Sequence, residues 1–393
     1  MSLDVSPGTD LLHPELEAYR AEFPILQRKT YLNSCSLGAL SERSMDGLSR
    51  FVENWNDFGA HAWYKLWLGE IAAVKEKFAR IIGAKPTEVA IAPSVSAALS
   101  ELTSALDFSQ RNKVVMADMD FPTLAYQWLV KQRLGVEVDF VESPDHIHVP
   151  PELLIDKIDE NTALVATSRV FFTSGYIQDV AAVAEAAHRK GAYVLIDDYQ
   201  GTGLIPIDVH ALDIDFLVTG TLKWLMGGPG LALVYVREEL IPRLEPTMTG
   251  WFAHREQFKF DTRQFQFRDD AGRFESGTPS VPTIHTANGG MEIVLEIGVQ
   301  RIYERTRALT NDLVTRIKEK GWTLRSPEDE HRRSAIVMLA LDQPADIVEK
   351  LVEQRFITDH RPGLLRISPY FYNTVAENEA IVEAISRILA ART

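Results

Sequence analysis

Along most of the chain, short apolar runs alternate with amphipathic stretches, and this alternation predicts a sheet covered by helices. Seven of the apolar runs are of the β type, and several are continuous, as expected for strands that are buried on both faces. They occupy residues 89–92, 114–117, 136–141, 163–167, 193–196, 216–218 and 231–236. Amphipathic runs between them end at Gly83, Gly135 and Gly191, as helices often do. The pattern predicts an α/β fold whose large domain holds a seven-stranded, mostly parallel sheet wrapped by helices.

The same pattern divides the chain into a large domain over residues 29–288 and a smaller C-terminal α/β domain over residues 289–393. The smaller domain is predicted to begin with one long amphipathic helix over about 289–319, which leads to strand-like runs at 334–341 and 364–368. We expect residues 1–28, which carry helix-forming apolar pairs, to pack with this smaller domain.

The composition of the chain argues for a globular protein and against several kinds of partner and site. The 393 residues are 46% hydrophobic, so the chain can bury a large core, and a net charge of −14 argues against nucleic acid or an anionic membrane as partner. The single cysteine, Cys35, excludes an internal disulfide and a cysteine-rich metal site, so we expect no metal. The first residues lack the pattern of a secretory leader, and no apolar run is long enough to cross a bilayer. A cytoplasmic protein is expected.

Two strand ends carry the residues that indicate a chemistry. The run 193–196 stops at Asp197, and open α/β sheets bind ligands at the carboxyl ends of their strands. Lys223 lies in a short turn between the apolar ends of the stretch 215–236. Desolvation there lowers the pKa of a lysine, as Schiff-base chemistry requires; the alternative is a lysine whose amine reaches solvent. An acid and a lysine at successive strand ends form the constellation used for pyridoxal 5'-phosphate (PLP).

With these motifs the chain resembles the fold-type I, class V aminotransferase family of PLP-dependent enzymes, which includes kynureninase, cysteine desulfurases and isopenicillin-N epimerase. The resemblance covers roughly residues 31–390, with the motifs in the family's order. It implies an internal aldimine between PLP and Lys223, and it implies that Asp197 pairs with the pyridine nitrogen. Both are therefore expected to be catalytic. Asp198, the next residue, is expected to lie behind this pair or at the surface.

The resemblance also assigns residues to the cofactor's phosphate and ring. Ser94, Val95 and Ser96 open a helix whose free N–H groups suit a phosphate, although serines at a helix start are also ordinary N-caps. Phe121 corresponds to the aromatic residue that stacks on the cofactor ring. Gln200 corresponds to the residue that faces its phenolic oxygen.

Two segments depart from the family's pattern. The turn before the lysine is Ser-x-His-Lys in relatives, but here Gly220 and Leu222 replace the serine and the histidine. Thr221, or otherwise Thr219, is then expected to supply the phosphate hydroxyl, and Lys223 itself to move the protons. Where relatives carry an asparagine near the phenolic oxygen, this chain has phenylalanines at 171 and 172.

Further residues are assigned to the partner subunit and the substrate. Trp251 and Thr278 lie in segments that relatives donate across a two-fold axis to the partner's phosphate, so a homodimer with shared sites is expected. Arg366 corresponds to the clamp on the substrate carboxylate; the alternative is a structural ion pair with an acid such as Asp359. His61 matches a substrate-side histidine of kynureninases.

Three functions remain open. The first is an aminotransferase acting on a small α-amino acid. The second is a kynureninase-like hydrolase, a β-lyase or an epimerase; Thr278 stands where kynureninases have Asn-Pro-Pro, which points away from that activity. The third is a non-catalytic PLP-binding protein, which an intact Lys223, Asp197 and Arg366 disfavour. A persulfide-forming desulfurase is not expected, because it needs a thiolate in the C-terminal lobe and no cysteine follows Cys35.

Overall fold

The computed structural model describes residues 12–392 and, in that range, ten α-helices and twelve β-strands. The strands are β1 (Thr30–Tyr31), β2 (Val89–Ala92), β3 (Lys113–Ala117), β4 (Glu137–Val141), β5 (Thr162–Ser168), β6 (Tyr193–Asp197), β7 (Phe216–Gly220), β8 (Ala232–Val236), β9 (Val337–Ala340), β10 (Phe356–Ile357), β11 (Asp359–Arg361) and β12 (Leu364–Ile367). The helices are α1 (Glu42–Phe58), α2 (Leu68–Ile82), α3 (Val95–Thr103), α4 (Pro122–Leu129), α5 (Pro151–Ile155), α6 (Val180–Arg189), α7 (Val281–Ile297), α8 (Val299–Glu319), α9 (Pro344–Glu353) and α10 (Val375–Ala390). Within 12–392, none of the helices is long and apolar enough to cross a membrane.

The large sheet has the strand order β2-β8-β7-β6-β5-β3-β4. β8 runs antiparallel to both of its neighbours, and the other neighbouring pairs are parallel. The seven apolar runs of the sequence are the seven strands of this sheet, so the predicted α/β fold is confirmed. β6 and β7 are direct neighbours, which brings the end of β6 beside the turn that follows β7.

Burial on both faces explains why these strands are continuously apolar. In β6, Leu195 packs into a cluster that includes residues of α3 and α4. Val194 and Ile196 point the other way, into a second cluster that includes residues of α6 and α7. Burying one large aliphatic side chain contributes about 1.5–3 kcal/mol, so a polar residue at any of these positions would weaken one of the two layers.

The C-terminal part builds a smaller sheet of three antiparallel strands in the order β11-β12-β9. α8, α9 and α10 supply the apolar side chains that pack with it, among them Leu313, Leu351 and Ile385. The first described residues, from residue 12 to β1, pack with this layer. β1 pairs with β10, and the Arg20 guanidinium donates two hydrogen bonds of 3.0 Å to Glu377 of α10. The predicted domain boundaries stay predictions.

The single amphipathic helix predicted over about 289–319 is wrong, because the structure has two helices there. α7 ends at Ile297 and α8 begins at Val299, with Gly298 between them at φ 88° and ψ 130°. α7 is buried along most of its length against α1 and α2. Two glycines permit close packing of α7: a Cβ at Gly289 would lie 2.7 Å from the Arg43 carbonyl oxygen of α1, and a Cβ at Gly290 would lie 2.2 Å from the Leu225 carbonyl oxygen after β7. Gly298, a glycine inside the predicted helix, was the signal in the sequence that the helix could break there.

Gly175 lies in the loop after β5, where it packs closely against the segment before β9. We predict that Gly175→Ala destabilises the protein. The residue has φ 78°, and an added Cβ would lie 2.5 Å from the Ile336 carbonyl oxygen. Gly321→Ala is the control, because Gly321 has φ 70° and open space around its Cβ position. Left-handed backbone alone costs about 1–2 kcal/mol, and overpacking adds about 1–3 kcal/mol. Urea unfolding should therefore show a larger loss for Gly175→Ala; equal losses would contradict the clash.

Candidate active site

A buried acid and a buried amine meet at the ends of β6 and β7. Asp197 is the last residue of β6, and Lys223 lies in the turn after β7; the two are 5% and 9% exposed. Burial raises the pKa of Asp197 to about 6, against the opposing effects of the Tyr199 N–H and the Lys223 charge. Burial lowers the pKa of Lys223 to about 8, although Cys35 and Asp197 favour its charged form. The lysine is thus desolvated as predicted, and the solvent-reaching alternative is wrong.

Two aromatic rings flank the Lys223 amine. Its Nζ lies 6.0 Å from the centre of the Phe121 ring and 4.2 Å from the centre of the Tyr199 ring. Phe121 was predicted as the wall of the cofactor ring, and it stays partly exposed, edge-on to Phe172 at 5.1 Å. Tyr199 was missed, although it lies inside the Asp-x-x-Gln motif. Its backbone N–H donates to Asp197 Oδ1 at 2.9 Å, so this residue contacts both members of the pair.

The turn predicted to hold the phosphate opens α3 directly after β2. Ser94 is the N-cap, and its hydroxyl oxygen accepts a hydrogen bond from the Ala97 N–H at 3.2 Å. Ser94 and Ser96 are exposed, whereas Val95 is buried. The Ser96 hydroxyl shares a hydrogen bond of 2.9 Å with Thr123 of α4. The start of a helix, with exposed hydroxyl groups, is a suitable place for an anion; the assignment of these three residues stays a prediction.

The polar side chains around the lysine turn are largely engaged within the protein. The Thr221 hydroxyl donates to the carbonyl oxygens of Gly228 and Leu231, at 3.0 and 3.3 Å. The alternative Thr219 donates to the Asp198 carbonyl oxygen at 3.4 Å. Both threonines are almost fully buried. Their proposed contact with a phosphate is untested.

Gln200 ties the turn to the N-terminal part of the chain. Its Nε2 donates to the Cys35 carbonyl oxygen at 3.0 Å, and its Oε1 accepts from Trp224 Nε1 at 3.2 Å. Both ends of the amide therefore have partners within the protein. Its role toward a phenolic oxygen stays a prediction.

Asp198 is buried and bound from several sides, so a surface position for it is wrong. Its two carboxylate oxygens accept from Arg169, Nε at 2.6 Å and Nη2 at 2.9 Å, and the Thr202 hydroxyl donates to it at 2.6 Å. Arg169 also donates to the carbonyl oxygens of Ile205 and Pro206. This buried pair fixes the segment after β5 against the segment after β6. Because Asp198 directly follows Asp197, the pair also holds the end of β6 in place.

Arg366 is 1% exposed in β12 and pairs with Asp359, which lies directly opposite it in β11. Its Nη2 donates to Asp359 Oδ2 at 2.5 Å and also to the Ser36 hydroxyl. Arg361 binds the same carboxylate oxygen at 3.0 Å. Burial would raise the pKa of Asp359, but the Ser36 hydroxyl and the Arg366 charge outweigh it and lower that pKa to about 2. The ion pair weighed as the alternative is therefore present.

Asp359 does not neutralise both Arg361 and Arg366, and it does not satisfy all of their N–H groups. One carboxylate faces two cations, so the cluster keeps one positive charge in excess. Arg366 Nε is buried and, among the described residues, has no hydrogen-bond partner. Both arginines act electrostatically on Lys223, lowering its pKa. The clamp on a substrate carboxylate stays a prediction that this excess charge permits.

Three predicted residues are not brought to this site within one chain. His61 is exposed in the turn Gly59–His61, and Thr278 is exposed after the turn Ala271–Phe274. Trp251 is 39% exposed and packs with Phe252 and Phe260. Over residues 12–392, no hydrogen bond or ring contact links these three to Asp197 or Lys223. Donation across a dimer, and the homodimer itself, stay predictions.

The phenylalanines that replace the family's asparagine have separate roles. Phe171 is fully buried and stacks on Tyr176, with ring centres 6.0 Å apart. Phe172 packs on Phe121, and its carbonyl oxygen accepts from Arg366 Nη1 at 3.5 Å. Apolar rings thus occupy the positions at which the family's pattern has an asparagine.

The arrangement fits PLP. A lysine of lowered pKa can take the aldehyde, a buried aspartate can face the ring nitrogen, aromatic rings lie beside the amine, and a helix start can receive the phosphate. Nothing comparable points to a metal, since within 12–392 no group of three or more His, Cys, Asp or Glu side chains is placed to hold one.

The chain is similar to known proteins over nearly all of its length. The Aminotransferase class-V family profile matches residues 39–380. The chain is 33% identical to the uncharacterized aminotransferase YcbU of Bacillus subtilis (strain 168), over 94% of this chain and 97% of that protein. It is 30% identical to a kynureninase of Shouchella clausii (strain KSM-K16), over 95% and 91%.

A solved structure extends the match to the fold. It is a C-DES mutant with glycine covalently linked to its PLP cofactor, and it covers 93% of this chain and 98% of its own, with a TM-score of 0.85 and 19% identity. The fold-type I architecture is thereby confirmed. The chain belongs to the class-V aminotransferase family and is a PLP-dependent enzyme.

Proposed function

We propose that this enzyme acts on a small α-amino acid, with PLP attached at Lys223, and that its reaction is transamination. The observation that carries the proposal is the burial of Lys223 between two aromatic rings, opposite Asp197 and within electrostatic reach of two arginines. The similarity to YcbU supports the aminotransferase branch. The similarity to kynureninase supports the second candidate, cleavage at Cβ.

PLP, when bound, supplies an electron sink for the bond that breaks at the substrate Cα. The protein's own part begins with Lys223. With a pKa of about 8, about one amine in ten is neutral at pH 7, far more than for an ordinary lysine. Because the family's neighbouring histidine is replaced by Leu222, Lys223 is the group that takes and returns the Cα proton.

Asp197 would hold the proton on the cofactor's ring nitrogen. Its pKa of about 6 leaves the carboxylate largely charged at neutral pH, in a place where burial would otherwise favour the neutral acid. The Tyr199 N–H stabilises the charged form, and the Arg169–Asp198 pair keeps the strand end in place. These contacts orient the acid and exclude water around it.

The substrate's carboxylate would be recognised by the arginines of β11 and β12. A buried guanidinium in an apolar strand needs an anionic partner, and Asp359 neutralises only one of the two charges. The planar guanidinium matches a carboxylate in two parallel hydrogen bonds. Arg366 and Arg361 together therefore favour an amino acid over its decarboxylated amine.

We predict that Lys223→Ala abolishes activity and the covalent attachment of PLP. Borohydride reduction of the wild type should fix the cofactor to Lys223, as identified by mass spectrometry of peptides. Lys131→Ala is the matched control, because Lys131 is also partly desolvated and lies over an aromatic ring, that of Trp128, at 5.7 Å. It should keep both labelling and turnover. Labelling at another lysine in the wild type would overturn the assignment.

The branch of reaction is decided by products. Wild-type enzyme is incubated with a panel of amino acids, with and without keto acids, and the products are separated. A new keto acid that depends on an added acceptor supports transamination. Alanine released by side-chain cleavage would instead support Cβ cleavage, and a mirror-image amino acid would support epimerisation. Either result would contradict transamination.

We predict that Arg366→Lys raises KM for amino acids about 100-fold or more, because charge-assisted hydrogen bonds contribute about 1.5–3 kcal/mol each and about 1.4 kcal/mol is a factor of ten. PLP content and unfolding midpoint should stay near the wild-type values. Arg333→Lys is the control: Arg333 is also buried, but it binds Pro327, Glu328 and Asn311. Equal use of an amino acid and its decarboxylated amine by the wild type would show that the carboxylate is not recognised.

A further inference from the structure

The Tyr199 ring occupies the space that a side chain at position 220 would fill. A Cβ built on Gly220 would lie 1.9 Å from Tyr199 Cε2 and 2.3 Å from its hydroxyl oxygen. Gly220 is not in the left-handed region of backbone conformations, so room for the tyrosine, and not strain, requires a glycine here. A serine oxygen at 220 would stand one bond beyond that Cβ. The Tyr199 hydroxyl therefore lies close to the space that a serine hydroxyl at 220 would occupy.

Beside the lysine turn, Tyr199 carries a hydroxyl that is free to donate, whereas the two threonines of that turn are engaged. A phosphate dianion only accepts hydrogen bonds, so its protein partners must donate. Thr221 and Thr219 already donate to backbone carbonyl oxygens. The Tyr199 hydroxyl makes no hydrogen bond to any described residue, and the side chain is only half-buried. Burial, and then the Asp197 charge, raise the pKa of Tyr199, so its phenol keeps its proton.

The order of strands gives the direction in which this hydroxyl points. Tyr199 follows β6, and its hydroxyl lies against Gly220 at the end of β7. In the sheet, β7 is followed by β8 and then by β2, from which α3 starts. The hydroxyl thus lies on the β7 side of its own strand, which is the direction in the sheet in which β2 and the helix start at Ser94 are found. Gln200, the next residue, is turned instead to Cys35 and Trp224.

We propose that the Tyr199 hydroxyl donates a hydrogen bond to the phosphate of PLP and replaces the side chain that is missing at Gly220. The inference rests on the proposed attachment of PLP at Lys223. It adds a cofactor-binding residue from a different strand end, and it explains how the turn works without a serine. Tyr199 and Gly220 then form one unit, because neither the ring nor a larger residue at 220 fits in the presence of the other.

The test compares PLP with pyridoxal, which lacks the phosphate. The cofactor is removed from the purified enzyme, and each compound is titrated back while its absorbance is followed. Tyr199→Phe should bind PLP about 10- to 100-fold more weakly, as expected for the loss of one charge-assisted hydrogen bond, whereas pyridoxal affinity should change less than about threefold. Tyr193→Phe, at the other end of β6, should change neither.

Other outcomes decide against the proposal. Equal weakening of PLP and pyridoxal would show that the ring packs and the hydroxyl does not bind phosphate. Unchanged PLP affinity in Tyr199→Phe, with a phosphate-specific loss in Thr221→Val, would assign the contact to Thr221. If the wild type binds PLP without attachment to Lys223, the proposed function itself fails, and borohydride labelling distinguishes that case.

A second pair of variants tests the shared space. Tyr199→Ala should lose the preference for PLP over pyridoxal, and Tyr199→Ala with Gly220→Ser should regain it, because a serine hydroxyl then returns to that position. Gly220→Ser alone should lower the unfolding midpoint, since the serine meets the tyrosine ring. A stable Gly220→Ser protein, or a double variant no better than Tyr199→Ala, would overturn the proposal.

Discussion

Desolvation of opposite charges at neighbouring strand ends governs this site. Asp197 and Lys223 are both removed from water, and burial moves the pKa of the acid up and that of the amine down. Each ion also stabilises the other's charged form, so the two shifts are smaller than burial alone would give. Because β6 and β7 are hydrogen-bonded neighbours, the sheet itself fixes this pair. Tyr199, which contacts Asp197 through its backbone N–H and Lys223 through its ring, is therefore placed to affect both groups.

The proposed substrate side of the site comes from one cross-strand pair of the smaller sheet. Asp359 and Arg366 are register partners in the antiparallel β11–β12 pair, so their side chains project from the same face. Arg361, at the other end of β11, turns back to the same carboxylate. The resulting surplus of positive charge faces Lys223. This is the charge that the proposed amino-acid substrate would neutralise.

Local patterns in the sequence were enough to predict the sheet and the two ends that matter. Continuous apolar runs mark strands buried on both faces; Asp197 directly follows one such run, and Lys223 lies in the turn after another. Features that depend on distant parts of the chain were not accessible in this way. The fit of Tyr199 against Gly220 joins two strand ends, and Arg169, the buried partner of Asp198, lies in the segment after β5. Gly298 was visible, but the amphipathic pattern continues on both sides of it and hides the break.

The proposed activation of an amino acid's Cα by this buried pair is tested most directly by hydrogen exchange at that carbon. The rate at which the Cα proton of a panel amino acid exchanges in D₂O can be followed by NMR, whatever the later products are. A buried charge without its partner costs about 3–5 kcal/mol, and about 1.4 kcal/mol is a tenfold change in rate. We expect Asp197→Asn, with PLP still bound, to exchange this proton at least about 100-fold more slowly than the wild type. Equal exchange rates in the two proteins would contradict it.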